Sequence, residues 1–310
     1  MNELKIHKNR NSLIELYRFL FAINVVIGHG LFPIPTEYWG PARISVEFFF
    51  ILSGYLFFNS LEKLKGLSVV EAVKSMLKSK IKPILVPTVI GIISNIVYNF
   101  AINASLLEMF KIFKYLWYIP AMLAAFLVYT ILRVLLKDHR FWLTVAIVCI
   151  ICTLLRFSGN QILHDFDYIR SFAAVSLGIL LAKVPKLQIK HKVIWWLVLI
   201  PILASVVCIV RYYLADIQWF GGFWGVEAIL DLILYPLLIY VSFRIDFNFP
   251  IFNYLGALSF GIYAYQCPAR MLWGFGIYDK WMIFAVIIVM SVSDDFIKRI
   301  VKAVSRGSLK

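Results

Sequence analysis

An arginine and a histidine eleven residues apart, Arg18 and His29, lie in one apolar stretch, SLIELYRFLFAINVVIGHGLF, long enough to cross a bilayer. An ionisable side chain inside a membrane helix costs at least a few kcal/mol, so it faces a protein interior or a water cavity and marks function. At about 100° per residue, eleven steps make three turns plus about 20°, so a helix sets both residues on one face about 16 Å apart. The imidazole titrates near neutrality and suits a general base. The guanidinium is a fixed cation whose rigid fork of donors suits an anionic group. Glu47, at the start of the next apolar segment and on the same side as His29, is suited to hydrogen-bond the imidazole, fix its tautomer and stabilise the imidazolium.

The elements that must position these groups are helices in lipid. The chain is 62% hydrophobic and 15% charged, with a mean hydropathy of +0.83, against about 45–50% and about 25% for soluble domains. Windows of about 20 apolar residues predict about ten transmembrane helices, at 13–32, 43–61, 83–101, 115–136, 141–157, 168–183, 193–210, 224–243, 251–272 and 279–297. The expected fold is therefore an all-α polytopic membrane bundle, with residues 1–310 as a single domain. Only the linker 62–82 is long, leaving room for neither a fused soluble domain nor a nucleotide-binding loop.

Lys and Arg concentrate on one side of this topology, where residues 1–12, 62–82, 133–140, 183–192, 244–250 and the C-terminal tail hold 22 of the 31. That asymmetry predicts both termini cytoplasmic. It also accounts for the net charge of +14 through topology and anionic headgroups, so no nucleic-acid partner is expected. The first apolar segment follows a polar stretch and is long enough to span, so it is expected to be retained rather than cleaved as a signal. Cys149, Cys152, Cys208 and Cys267 all fall in apolar segments. They are read as packing residues, with neither a disulfide framework nor a metal site.

Four segments carry a resemblance. Arg18, ten residues and His29, with Glu15 three before the arginine, form the first. Glu47 followed by Phe48, Phe49, Leu52, Ser53 and Gly54 forms the second. Leu116-Trp117-Tyr118-Ile119-Pro120-Ala121 and Ser259-Phe260-Gly261-Ile262-Tyr263 complete the set. Their order resembles the bacterial membrane acyltransferase family 3, integral membrane O-acyltransferases that modify surface polysaccharides and other extracytoplasmic glycans. Three departures stand out: Gln266 where the family usually has histidine, Pro83 where a basic residue often stands, and Ser45 where glycine is common. Glutamine can bind a substrate but cannot shuttle protons near neutral pH.

The resemblance implies a multi-pass acyltransferase of the bacterial cytoplasmic (inner) membrane. The acyl group, expected to be acetyl, would pass from acyl-CoA to a hydroxyl of a cell-envelope glycan or lipid-linked saccharide, with acetyl-CoA as donor substrate and no permanently bound cofactor. Such transfer needs a base for the hydroxyl proton, stabilisation of the oxyanion and exclusion of water. His29 is then the base, Glu47 its orienter and Arg18 the donor-side cation. Lys80 and Lys82 are candidates for the CoA phosphates, although lipid phosphates are the commoner partner of such a basic linker. Trp117, Tyr118, Arg170, Tyr263 and Gln266 are candidates for substrate contact.

Blander readings stand beside these. Arg18 and Glu15 suit a local ion pair reaching toward the interface. Ser53 before Gly54 suits close helix packing better than a nucleophile, and Trp117 and Tyr118 suit an interfacial aromatic belt. Arg170 reads as a charged helix border, and Glu227 and Asp231, four apart on one face, as carboxylates satisfied by water or as acceptor ligands. The rival function is a secondary transporter or exporter of a small anion or lipid-linked sugar, disfavoured by the absence of internal repeats. The acceptor, the acyl length, an acyl-histidine intermediate and homodimerisation are left open.

Overall fold

A computed structural model of the chain describes residues 11–32, 42–101, 116–185, 227–244, 248–274 and 276–307. They form α1 (Ser12–Gly28), α2 (Ala42–Glu62), α3 (Val69–Ala101), α4 (Tyr118–Leu135), α5 (Asp138–Arg156), a short α6 (Gln161–Asp165) and α7 (Asp167–Lys183). A π-helical turn at Leu230–Leu234 runs into α8 (Tyr235–Ser242), followed by α9 (Pro250–Gly274) and α10 (Lys280–Gly307). No strand occurs among the described residues. The helix expected at 193–210 lies outside them.

By length and apolarity, α4 and α5 are the 2 described helices able to cross a membrane, or up to 3 if the broken stretch Val69–Ile81 and Ile84–Phe100 counts as one span. α1 and α7 have 17 residues each, which at 1.5 Å per residue is about 25 Å, short of a hydrocarbon core of about 30 Å.

Two elements exceed the sequence expectation. α3 starts at Val69, inside the expected linker, because Ser68 and Glu71 form a capping box. The Ser68 N–H and hydroxyl donate to Glu71 Oε2 at 3.1 and 2.8 Å, and the Glu71 N–H donates to Ser68 Oγ at 3.3 Å. Two of the helix's orphan donors are thereby satisfied, which fixes its start. α10 continues to Gly307, with Lys298–Asp294 and Arg299–Asp295 pairs at i,i+4 along its second half.

The chain divides into two compact units: residues 1–42, 83–116 and 247–310 in the first, 43–82 and 117–246 in the second. In the first unit, α1 packs on α9 and α9 on α10. Gly256 allows the closest approach, since a Cβ there would run into Glu15 of α1. Ser12 fastens the same pair, donating to Asn253 Oδ1 at 3.0 Å and accepting the Phe249 N–H at 2.7 Å.

In the second unit, α7 is the central helix, packed against α4, α5 and α8. A Cβ on Gly54 of α2 would strike the Val175 carbonyl, and one on Gly178 of α7 would strike the Ile51 carbonyl. These reciprocal glycines bring two backbones together, the role small residues play between membrane helices. Phe57 stacks on Phe126 at 4.1 Å beside them. The Ser171 hydroxyl donates to the Ala121 carbonyl at 2.8 Å, and Tyr129 bonds Ser176.

Candidate active site

In the first unit, Asn11 caps α1 by accepting the Leu13 and Ile14 N–H groups. The helix then runs unbroken to Gly28, so Arg18 and His29 keep the spacing read from the sequence. Arg18 Nη1 sits 2.8 Å from Glu15 Oε2; the arginine side chain is 26% exposed and the glutamate nearly buried. The local ion pair is therefore present, and part of the guanidinium stays exposed.

His29 closes α1, its N–H donating to the Val25 carbonyl at 3.1 Å, and is half-buried. Arg270 of α9 is near enough for its charge to act on the imidazole. Sequence reasoning had left Arg270 aside. On α9, Tyr263 and Gln266 are both buried, and neither the amide nitrogen nor the amide oxygen of Gln266 has a hydrogen-bond partner among the described residues.

In the second unit, Glu47 is fully buried near the start of α2. Arg170, near the start of α7, grips its Oε1 from Nε at 2.7 Å and Nη2 at 2.6 Å. Arg156 of α5 approaches its Oε2 at 3.4 Å. Arg170 is thus an interior cation, 2% exposed, rather than a charged helix border. It lies under the Trp117 ring at 5.4 Å from the centroid, so Trp117 supports a cation where an interfacial belt was the leading expectation. The expected pairing of Glu47 with His29 would join the two units; within its own unit Glu47 is engaged by the two arginines.

Arg156 continues the cluster. Its Nη2 lies 2.7 Å from Asp231 Oδ2 and 3.8 Å from Glu227 Oε2, and all three side chains are nearly or fully buried. Glu227 Oε2 in turn lies 2.6 Å from His164 Nε2, and His164 Nδ1 lies 3.1 Å from Asp165 Oδ1. Glu227 and Asp231 are 1% and 3% exposed, and the partners they show among the described residues are Arg156 and His164. Arg156 and His164 escaped the sequence reading. The available signal was Arg156 within the apolar run 141–157, set against two carboxylates sharing a face in 224–243.

The remaining candidates sit elsewhere in the second unit. The Tyr118 hydroxyl is 3.0 Å from Ser53 Oγ and is buried, which fits the packing reading of the Leu-Ser-Gly motif. Lys80 lies over the Phe57 and Phe126 rings at 5.2 and 5.5 Å, and burial holds its ammonium below the usual lysine range. The Lys82 side chain lies outside the described residues. Cys149 donates its S–H to the Ala173 carbonyl at 3.7 Å, a packing contact.

Residues 11–293 match the family model of acyltransferase family 3, described as an acyltransferase domain. The chain belongs to this family. It is accordingly an acyltransferase, and its apolar helices mark it as a membrane protein. No curated protein and no solved structure matches it. In this chain α1 carries Arg18 and ends on His29 at its C-cap, so one helix fixes the spacing of the two.

Proposed function

We propose that this acyltransferase is an O-acetyltransferase of the bacterial inner membrane, with about ten spans and both termini in the cytoplasm. It takes an acetyl group from cytoplasmic acetyl-CoA and delivers it to a hydroxyl of a cell-envelope glycan or lipid-linked saccharide. His29 removes the hydroxyl proton as the acceptor oxygen attacks the thioester carbonyl. The C–O bond forms, the C–S bond breaks, and the departing CoA thiolate takes up a proton. Arg18, paired to Glu15 on one side and open on the other, holds the anionic part of the donor. Lys80 and Lys82 are placed with the CoA phosphates. Glu47 enters as a carboxylate fixed by Arg170, and Trp117, Tyr118, Tyr263 and Gln266 as substrate-side residues.

The observation that carries this reading is α1 in a chain of this family: one unbroken, capped helix with the guanidinium and the imidazole three turns apart. Purified protein in nanodiscs, given acetyl-CoA labelled in the acetyl group and an envelope-glycan extract, is expected to release free CoA only when the extract is present and to label the glycan. Folded protein that releases no CoA with any of several acyl-CoA donors would overturn the reading.

A further inference from the structure

Among the described residues, the cluster behind Glu47 contains more acid than base. Arg156 and Arg170 supply two fixed positive charges, whereas Glu47, Glu227 and Asp231 supply three carboxyl groups, all five at most 3% exposed. An uncompensated ionised carboxylate at such depth is expensive, so the cluster needs one more positive charge or one proton.

His164 stands where that proton fits. The imidazole is fully buried, with Nε2 2.6 Å from Glu227 Oε2 and Nδ1 3.1 Å from Asp165 Oδ1. Only the imidazolium donates from both nitrogens; a neutral ring would turn one lone pair toward a carboxylate. The Asp165 side chain is 43% exposed, so it reaches solvent. At the inner end, Asp231 Oδ1 and Oδ2 make no hydrogen bond among the described residues, and Oδ2 is held through the ion pair to Arg156. A small cavity lined by Arg156, Asp231, Ile51, Thr153 and Ala173 borders that carboxylate.

Among the described residues, the charged groups of the cluster are Glu47 from α2, Arg156 from α5, Asp165 from α6, Asp167 and Arg170 from α7, and Glu227 and Asp231 from the segment entering α8. Asp167, half-exposed, feels Arg170, Glu47 and Asp165.

We propose that this cluster is a buried proton site: His164, as an imidazolium bridging Glu227 and Asp165, holds the single proton that neutralises it. Asp165 is the port through which that proton exchanges with solvent, and Asp231 is the inner station that takes it when the imidazole cannot. Acyl transfer to an alcohol must dispose of one hydroxyl proton, and a site of this kind can receive it. That use rests on the acyl-transfer reading, whereas the proton site does not.

The test is infrared spectroscopy of the full-length protein in nanodiscs, which needs neither donor nor acceptor, so its outcome is independent of whether acyl transfer is observed. In His164→Gln the balancing proton must move to a carboxyl, and a protonated-carboxyl carbonyl band is expected at neutral pH that wild type lacks. The band should disappear or shift in His164→Gln/Asp231→Asn. His164→Lys, which keeps a cation, should show no such band, a distinction that a purely structural histidine would not produce. Glu227→Gln, by removing one carboxylate, should convert His164 to the neutral ring. Asp165→Asn should slow exchange of the histidine proton into D2O. Absence of a protonated carboxyl in His164→Gln, or an imidazolium retained in Glu227→Gln, would overturn the site; unchanged exchange in Asp165→Asn would overturn the port.

Discussion

Replacing Arg156 with Met removes a charge while keeping most of the side-chain length, and the structure says which neighbour suffers. Glu47 retains Arg170 at 2.6 Å and Glu227 retains His164 at 2.6 Å, but Asp231, with Arg156 at 2.7 Å, keeps no other ion pair among the described residues. The substitution therefore orphans one buried carboxylate rather than three. Breaking a buried pair by removing one partner costs about 3–5 kcal/mol, which is about two to three and a half powers of ten in the folded-to-unfolded ratio. Adding Asp231→Asn removes the orphaned charge, so the double variant should recover stability, with a coupling energy of about 1–3 kcal/mol between the sites. The assay is SDS-induced unfolding in mixed micelles, monitored by tryptophan fluorescence, for wild type, both single variants and the double. A loss under about 1 kcal/mol in Arg156→Met, or a double variant no more stable than Arg156→Met, would refute the claim that Asp231 depends on this arginine.

Other outcomes follow from local geometry. Gly54→Ala should cost about 1–3 kcal/mol, because the added Cβ meets the Val175 carbonyl, a backbone atom that cannot swing aside; a thermal shift assay showing an unchanged Tm would contradict the close α2–α7 approach. The Glu71 carboxyl is held below its ordinary 4.5 by the Ser68 hydroxyl and N–H. A carboxylate with a lowered folded pKa contributes fully above 4.5 and loses that contribution as pH falls through the folded value. Amide protection factors at the start of α3 should consequently drop on acidification in wild type, whereas Ser68→Ala should show low protection at both ends of the range; hydrogen–deuterium exchange measured at acid and neutral pH checks this.

Much of the fold was legible because the helix signal in lipid is compositional. The apolar stretches at 13–32, 43–61, 141–157 and 251–272 are each helical in the structure across most of their length, since an apolar run without internal partners for its backbone must be helical. The start of α3 was legible in principle too, as Ser68 and Glu71 spell a capping box, but charged residues from Lys74 to Lys82 make the stretch read as a linker.

At the candidate site, Arg18, His29 and Glu47 stood out through spacing within short segments. Arg156 and His164 did not, because Arg156 gathers Glu47 and Asp231 from opposite sides of it in the chain and His164 meets Glu227 across 63 residues, separations no local pattern encodes. Arg170 showed the same failure in milder form: near a helix start it resembles a border charge, and only its 2.7 Å bond to Glu47 across 123 residues reveals an interior cation. The glycine at 54 was read correctly as a packing residue because its neighbours in Leu-Ser-Gly already suggested a close helix contact.

The central claim is that His29 is the base for acyl transfer, and the most direct test is the rate of acetyl transfer to acceptor in His29→Ala and His29→Gln against wild type. A positioned base contributes about 10²–10⁴-fold. Both variants, folded and with α1 intact, should therefore lose at least about a hundredfold in kcat while still binding acetyl-CoA, and Arg18→Ala should instead weaken donor binding. Acceptor-dependent acetyl transfer at the wild-type rate in His29→Ala would contradict the account.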